Sequence, residues 1–133
     1  MILVDTSAWI EFFRGSEPVA STVDRALESD EVALCGPVLT ELRRSLRTPA
    51  ERRRVLPLFS GCHLLEQPPA LWEEAGDLGF ALARRGASVK TLDLLIAVYA
   101  LSHSVSLLTI DADFARMRRA GIPLDLSPRA GGF

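Results

Sequence analysis

The sequence has little of what disulfide-rich, zinc-binding or membrane proteins need. Its two cysteines, Cys35 and Cys62, lie in apolar stretches without CxxC or Cys/His spacing, so buried thiols are the simplest interpretation. The longest apolar run, Leu94 to Leu101, is far shorter than the ~18 residues of a membrane span. Only three apolar residues separate Met1 from Asp5, which leaves no room for a secretory hydrophobic segment. We therefore expect a soluble, cytoplasmic protein with no membrane partner.

Lysine and net positive charge are also scarce. The chain has a single lysine, fourteen arginines and a formal net charge of −2. A protein that is acidic overall lacks the strongly basic pI typical of nucleic-acid-binding domains. Any binding of a polyanion must therefore depend on local patches of arginine.

The length of 133 residues, 48% of them hydrophobic, fits a single domain over residues 1–133. Short apolar runs alternate with longer helical patterns, and this rhythm is typical of a parallel sheet covered by helices on both faces. The predicted fold is an α/β/α sandwich with a central, mainly parallel sheet of four to five strands. The predicted strands are 2–4, 32–35, 62–65, 106–109 and 123–126. The predicted helices are 7–14, 18–29, 37–46, 49–59, 69–85, 91–103 and 113–120, with Pro37, Pro49 and Pro69 in first turns.

Acidic residues recur where the predicted strands end or the next helices begin. Asp5 follows the first strand, and Asp111 and Asp113 follow the fourth, while Glu41 and Asp93 lie near the starts of predicted helices. Because ligands bind beyond the carboxyl ends of the strands in such folds, we expect these side chains at one edge of the sheet. Each acid taken alone is equally explained by helix capping or by the helix dipole.

Taken together, the acids are harder to explain by capping. Two carboxylates about 4 Å apart repel by roughly 4 kcal/mol at an effective dielectric near 20, so several of them at one edge call for protons or cations. Ligands that offer only oxygen select hard cations, and Mg²⁺ or Mn²⁺ is the natural choice. Thr6, Ser7 and Thr109 are candidates for hydrogen bonds that orient these carboxylates, although hydroxyls also cap helices.

The motifs that carry these acids resemble those of PIN-domain ribonucleases, and within them the small VapC-type toxins of bacterial toxin–antitoxin pairs. The matching segments are Ile2 to Ser7, Thr40 to Leu42, Asp93 to Ala97 and Thr109 to Phe114. The resemblance implies an Mg²⁺-dependent endoribonuclease, with Mn²⁺ as a possible substitute. It also implies a site in which Asp5, Glu41, Asp93 and Asp111 form the catalytic and metal-binding quartet, with Asp113 as a fifth metal ligand. Asp5 and Asp93 are expected to bind metal directly, and Thr6 and Thr109 to support the ligands.

The same resemblance implies partners: an RNA substrate, a cognate antitoxin protein and a second copy of the chain in a homodimer. Arg43, Arg44 and Arg47 lie beside Glu41 and are the candidate RNA-binding residues. A guanidinium can bind a phosphate through two hydrogen bonds, although a solvated helix face explains most charge runs. Trp9, Phe12, Phe13 and Trp72 are expected in the core or an interface and not in base stacking.

Two other functions remain open at this point. A non-catalytic PIN-like scaffold could bind RNA or protein, although the presence of all four acids argues against it. An Mg²⁺-dependent phosphatase-like domain also places aspartates at strand ends. However, Asp5 lacks the second aspartate of an Asp-x-Asp motif, and Lys90 is the only lysine.

Overall fold

The computed structural model describes residues 1–127, in which short strands alternate with helices. The elements in chain order are β1 (Ile2–Val4), α1 (Thr6–Arg14), α2 (Val19–Glu28), β2 (Val32–Leu34), α3 (Gly36–Ser45), α4 (Pro49–Ser60), β3 (His63–Leu64), α5 (Leu71–Arg84), α6 (Thr91–His103), β4 (Ser106–Leu108), α7 (Ala112–Arg119) and β5 (Leu126–Ser127).

The five strands form one sheet in the order β3-β2-β1-β4-β5, and every neighbouring pair is parallel. β1 lies in the middle, with Leu3 opposite Ala33 on one side and opposite Leu107 on the other. The predicted sandwich with a parallel central sheet is confirmed. Because all strands run the same way, their carboxyl ends meet at one edge, which is where Asp5 and Thr109 follow β1 and β4.

The core is built from the central strands and the helices that pack on them. Leu3, Val4, Leu107 and Leu108 have no exposed surface, as parallel strands covered on both faces require. α6 is apolar nearly all round and is buried from Leu94 to Ala100 apart from a half-buried Leu95, which confirms the prediction of an internal helix. It packs against α3, α5 and α7.

Most predicted boundaries differ from the structure by one residue, but the start of α5 is wrong by two. The helix begins at Leu71 and not at Pro69, because the N–H of Leu71 donates to the Pro68 carbonyl in a preceding turn (3.2 Å). Pro69 therefore lies before the first turn of α5. Pro37 and Pro49, in contrast, do occupy the first turns of α3 and α4.

β2 and β4 are one residue shorter than predicted, and β3 and β5 are two residues shorter. β3 starts at His63 because the N–H of Cys62 still donates to the Phe59 carbonyl at the end of α4 (3.0 Å). β5 starts at Leu126 and not at Pro123, because the N–H of Leu124 donates to Ile122 O in a tight turn around Pro123 (2.8 Å).

Both cysteines are unpaired, as expected, with Cys35 buried and Cys62 half-buried. Burial raises the pKa of the Cys35 thiol to about 12 and that of Cys62 to about 11, so both are poor nucleophiles. None of the helices found between residues 1 and 127 combines the length and apolar character needed to cross a bilayer.

Candidate metal centre

Asp5 is fixed by hydrogen bonds at the point where β1 turns into α1. Its Oδ1 accepts from the Ala8 N–H (3.0 Å), which caps α1, and from the Ser7 hydroxyl (2.7 Å). Its Oδ2 accepts from the Thr109 hydroxyl (2.6 Å). With 3% of its surface exposed, Asp5 has a raised pKa because burial disfavours the carboxylate, although these hydrogen bonds oppose the shift. Asp5 therefore both caps a helix and presents a rigid carboxyl group at the sheet edge.

Thr109 links this turn to the one that follows β4. While its hydroxyl donates to Asp5, its Oγ1 accepts from the backbone N–H of Asp111 (2.9 Å). The Ser7 hydroxyl makes a second link by accepting from the Ile110 N–H (3.1 Å). The loops after β1 and β4 are therefore held in one arrangement by two hydroxyl groups.

Glu41 comes to the same edge on the second turn of α3. The Thr6 hydroxyl donates to its Oε1 at 2.6 Å, so Thr6 connects the β1–α1 turn to α3. Thr6 therefore contacts one of the predicted acids, and its role in supporting a metal ligand stays a prediction.

The acidic centre itself is formed by three aspartates. Asp93, Asp111 and Asp113 each offer one carboxylate oxygen, and these oxygens all lie within 4.8 Å of one another. Asp93 lies in the first turn of α6 and is 7% exposed. Asp111 caps α7 by accepting a hydrogen bond from the N–H of Asp113 (2.9 Å). The Asp111 side chain therefore caps a helix and belongs to the acidic cluster at the same time.

Burial and neighbouring charges shift the pKa values of two aspartates in this cluster. Burial, contact with the Asp113 carboxyl group and the charge of Asp111 raise the pKa of Asp93 to about 7, with Lys90 opposing the shift. The pKa of Asp113 is lowered, first by its contact with Asp93 and then by Arg116. Ionisation is therefore disfavoured at Asp93 and favoured at Asp113.

One atom of the cluster is suited to a cation. The Oδ2 of Asp93 is buried and has no hydrogen-bond partner in the part of the chain that the structure describes; the nearest cation is Lys90 Nζ, 4.0 Å away. A buried oxygen without a partner is costly, and a bound cation would satisfy it. The ligand set offers only oxygen, which fits Mg²⁺ or Mn²⁺.

The structure thus brings together the side chains of Asp93, Asp111 and Asp113 from the predicted set. Asp5 and Glu41 lie outside this group of three. Asp5 is close enough for the charge of Asp111 to contribute to its raised pKa, and Glu41 is tied to the same edge through Thr6. The division of ligand roles among the five acids stays a prediction.

Arg116 is a residue of this centre that the sequence reasoning missed. Its guanidinium group forms an ion pair with the Asp113 carboxylate one turn earlier on α7. The available signal is the spacing of three between the two residues, which places them on one face of a helix.

The arginines proposed to bind RNA lie at the end of α3 and just beyond it. Arg43, Arg44 and Arg47 are all exposed, and none of the three forms a salt bridge with an acidic residue in the described range. Their guanidinium groups are therefore accessible to an anionic ligand.

An all-parallel α/β sandwich with clustered carboxylates at the strand ends defines a class of candidate metal-binding proteins. Residues 2–120 match the PIN domain family, and the chain belongs to that family. Within it, the chain is similar to Ribonuclease VapC11 of Mycobacterium tuberculosis, with 33% identity over 119 residues that cover 86% of this chain and 89% of that protein. The resemblance inferred from the motifs is confirmed.

Solved structures agree on the fold. The structure of VapBC2 from Rickettsia felis bound to a DNA fragment from its promoter superposes with a TM-score of 0.74 at 21% identity, covering 96% of this chain and 98% of that one. VapBC-5 from Mycobacterium tuberculosis, a member of the VapBC family of toxin–antitoxin systems, gives a TM-score of 0.61 at 26% identity, with 94% of each chain covered.

Proposed function

We propose that this chain is an Mg²⁺-dependent endoribonuclease that acts in the cytoplasm as the toxin of a toxin–antitoxin pair. The observation that carries the proposal is the cluster of Asp93, Asp111 and Asp113, with a buried Asp93 oxygen that has no partner within residues 1–127. Similarity to a VapC ribonuclease over most of both chains supports the substrate class. Solved VapBC complexes of the same fold support a cognate antitoxin as partner.

The residues of the chain have distinct tasks in this proposal. Asp93, Asp111 and Asp113 would hold the cation, with Asp5 and Glu41 completing its surroundings directly or through water. Mg²⁺ or Mn²⁺, when bound, lowers the pKa of a coordinated water and offsets charge on the leaving oxygen of a phosphodiester.

The hydroxyl groups keep these carboxylates in place before any ligand arrives. Thr109 and Ser7 fix both oxygens of Asp5, and Thr6 fixes Glu41. Such fixed orientation lowers the cost of reorganisation when the charged substrate binds. Replacing a hydroxyl should therefore weaken activity without removing a ligand.

Substrate binding is assigned to the arginines beside the acidic edge. Because the carboxylate cluster repels RNA, basic groups at its margin are needed to hold the phosphate backbone. Arg43, Arg44 and Arg47 form no salt bridge in the described region, which suits that role. The resemblance to VapC toxins also implies a homodimer.

The test measures cation binding and RNA cleavage separately. Mn²⁺ binding is followed by calorimetry, and purified protein is incubated with total RNA in Mg²⁺ or in EDTA. We expect cleavage only with Mg²⁺, and loss of both binding and cleavage in Asp93→Asn and Asp111→Asn. Asp24→Asn, an exposed acid on α2, is the matched control and should behave as wild type.

The outcomes separate the competing functions. RNA binding without cleavage under any cation would favour the non-catalytic scaffold. Hydrolysis of a phosphomonoester without RNA cleavage would favour a phosphatase-like domain. Cleavage that persists in Asp93→Asn would refute the assigned centre.

A further inference from the structure

Two basic side chains reach the group of three aspartates, and they differ in how firmly they are held. Among the described residues, only Lys90 and Arg116 bring a charged nitrogen within 4.0 Å of these carboxylates. Arg116 forms an ion pair with Asp113 one turn earlier on α7. Lys90 Nζ lies 4.0 Å from Oδ2 of Asp93, which is beyond hydrogen-bond distance. Arg116 is therefore already paired inside the centre, whereas the Lys90 ammonium keeps its donors for another partner.

The Lys90 side chain extends into solvent at the rim of the centre. It is 73% exposed, and an exposed ion pair at this distance contributes little to stability because water and salt screen it. A lysine ammonium is a compact charge with three donors on a flexible chain. Lys90 can therefore turn towards a ligand at the centre without any movement of the backbone.

The start of α6, where Lys90 is the N-cap residue, also favours an anion. The Lys90 side chain does not cap the helix. Within residues 1–127, the backbone N–H groups of Thr91, Leu92 and Asp93 donate to no protein atom. Such N–H groups and the helix dipole give the beginning of a helix partial positive charge. The ammonium and the helix end therefore both attract an anion beside Asp93.

The charge of the loaded centre decides whether a phosphate can bind there. The three aspartates carry up to three negative charges, and the ion pair with Arg116 offsets one of them. With a divalent cation bound, this group is neutral. Lys90 then supplies the positive charge that a phosphodiester, with its single negative charge, requires. Any further charge on Asp5 or Glu41 makes this contribution more necessary.

We propose that the Lys90 ammonium binds the phosphodiester of RNA at the acidic centre by donating hydrogen bonds to its non-bridging oxygens. The proposal rests on the ribonuclease function proposed above and adds to it a contact with the reacting phosphate. The arginines of α3 are assigned to the RNA backbone at the margin of the centre, and Lys90 to the phosphate at the centre itself. Arg116 stays with Asp113 and orients that carboxylate.

The first experiment uses the fact that the chain has a single lysine. N-hydroxysuccinimidyl acetate acetylates the Lys90 amine and the amino terminus, and mass spectrometry of peptides measures both. The probe is a short, single-stranded 2′-O-methyl RNA of mixed sequence, whose integrity is checked by gel electrophoresis. In Mn²⁺, this RNA should slow acetylation of Lys90 severalfold. Acetylation of the amino terminus, which precedes β1 at the end opposite Asp5, should not change.

The second experiment compares Lys90→Gln, which removes the charge, with Lys90→Arg, which keeps it. Binding of the same RNA in Mn²⁺ is followed by fluorescence anisotropy at several salt concentrations. Lys90→Gln should raise the Kd by about tenfold and flatten the slope of log K against log salt by about 0.7, because one charged contact with phosphate is lost. Lys90→Arg should retain most of the affinity, since a guanidinium group also binds phosphate.

A matched control removes one exposed positive charge from the other edge of the sheet. Arg25 on α2 lines a cleft with Met1 and Glu31, beside the amino ends of the strands. Arg25→Gln should bind the RNA like wild type. A loss of affinity equal to that of Lys90→Gln would show that only the total charge of the protein matters, and it would refute the contact.

Binding of Mn²⁺ distinguishes a substrate contact from a structural role of Lys90. It is measured by calorimetry at about pH 8, above the pKa of about 7 of Asp93. Lys90→Gln should bind Mn²⁺ at least as tightly as wild type, because it removes a positive charge 4.0 Å from Oδ2 of Asp93. A structural role predicts the opposite, since the loss of Lys90 would then disturb Asp93 and weaken Mn²⁺ binding.

The proposal is wrong if RNA leaves the acetylation of Lys90 unchanged, if Lys90→Gln binds RNA like wild type, or if Lys90→Gln loses Mn²⁺ binding. Mg²⁺-dependent cleavage of total RNA by wild type is measured separately. Cleavage together with an unprotected Lys90 refutes the Lys90 contact and leaves the ribonuclease function standing. Protection of Lys90 without any cleavage supports the contact and counts against the ribonuclease function.

Discussion

Replacing Asp93 by asparagine should stabilise the metal-free protein at alkaline pH but much less at acidic pH. Asp93 is buried beside Asp111 and Asp113, and the only cation close to it in the described residues is Lys90 at 4.0 Å. Ionising its carboxyl group therefore costs free energy in the folded state that the unfolded chain does not incur. Asparagine keeps the shape of the side chain and removes the charge.

The magnitude follows from the pKa of Asp93. It is raised from 3.8 to about 7 in the folded protein, so the group's contribution to stability is greatest below about pH 4 and is lost as the pH rises through about 7. Between about pH 5 and about pH 8, this one group should lower the free energy of unfolding by about 2 to 3 kcal/mol. Asp113, whose pKa is lowered, is ionised in both states over this range and adds no slope.

The assay is urea unfolding in EDTA at a series of pH values. The advantage of Asp93→Asn over wild type should grow by about 2 to 3 kcal/mol across the window, with an unchanged m-value. Adding Mn²⁺ at about one hundred times its Kd should stabilise wild type by about 2.7 kcal/mol and the variant by less.

Two results would refute this reasoning. If the curves of unfolding free energy against pH for wild type and Asp93→Asn stay parallel from acid to alkali, the pKa of Asp93 is not raised in the folded protein. If Asp93→Asn is less stable than wild type at alkaline pH, the Asp93 carboxylate stabilises α6 by interacting with its helix dipole, and it is not held ready for a cation. Asp24→Asn should leave the pH dependence of wild type unchanged, which controls for the loss of one surface charge.

Two further changes test the surroundings of the centre. Thr109→Val should reduce stability by about 1 to 3 kcal/mol by chemical denaturation, because it leaves an oxygen of Asp5 without its 2.6 Å hydrogen bond; Thr109→Ser should recover most of the loss. Replacing Arg43, Arg44 and Arg47 with glutamine should weaken RNA binding and flatten the slope of log K against log salt by about 0.7 for each phosphate that is no longer neutralised.

Each of these has a result that contradicts it. If Thr109→Val unfolds at the same denaturant concentration as wild type, Thr109 does not hold Asp5. If the triple arginine variant keeps the RNA affinity and salt slope of wild type, the arginines form a solvated face. If it instead loses antitoxin binding or dimerisation while RNA affinity is kept, they belong to a protein interface. Mn²⁺ affinity should be unchanged in the triple variant.

The sequence predicts the fold well because its strands are nearly continuous apolar runs separated by helical patterns. The predicted bounds of β1 and α6 match the observed ones. Asp5 ends the apolar run of β1, and Thr91 marks the start of the α6 pattern. The predicted starts of α5 and β5 are wrong because turns around Pro69 and Pro123 depend on backbone hydrogen bonds that no periodicity reveals.

The acidic edge can be predicted for a topological reason. Parallel strands carry whatever follows them to the same side of a sheet, so Asp111 and Asp113 must lie near Asp5 once β1 and β4 are neighbours. The sequence does not predict which side chains form ion pairs and hydrogen bonds at this edge. Arg116 forms an ion pair with Asp113, and one oxygen of Asp93 has no hydrogen-bond partner among residues 1–127.

The hydrogen bond between Thr109 and Asp5 joins residues that are 104 positions apart in the chain. β1 begins the chain's sheet, yet β4, which flanks it, is made after most of the protein has been synthesised. The acidic centre therefore has a high contact order and cannot assemble on a nascent chain that still lacks β4 and α7. The three aspartates of the acidic centre therefore come together only after β4 and α7 have left the ribosome.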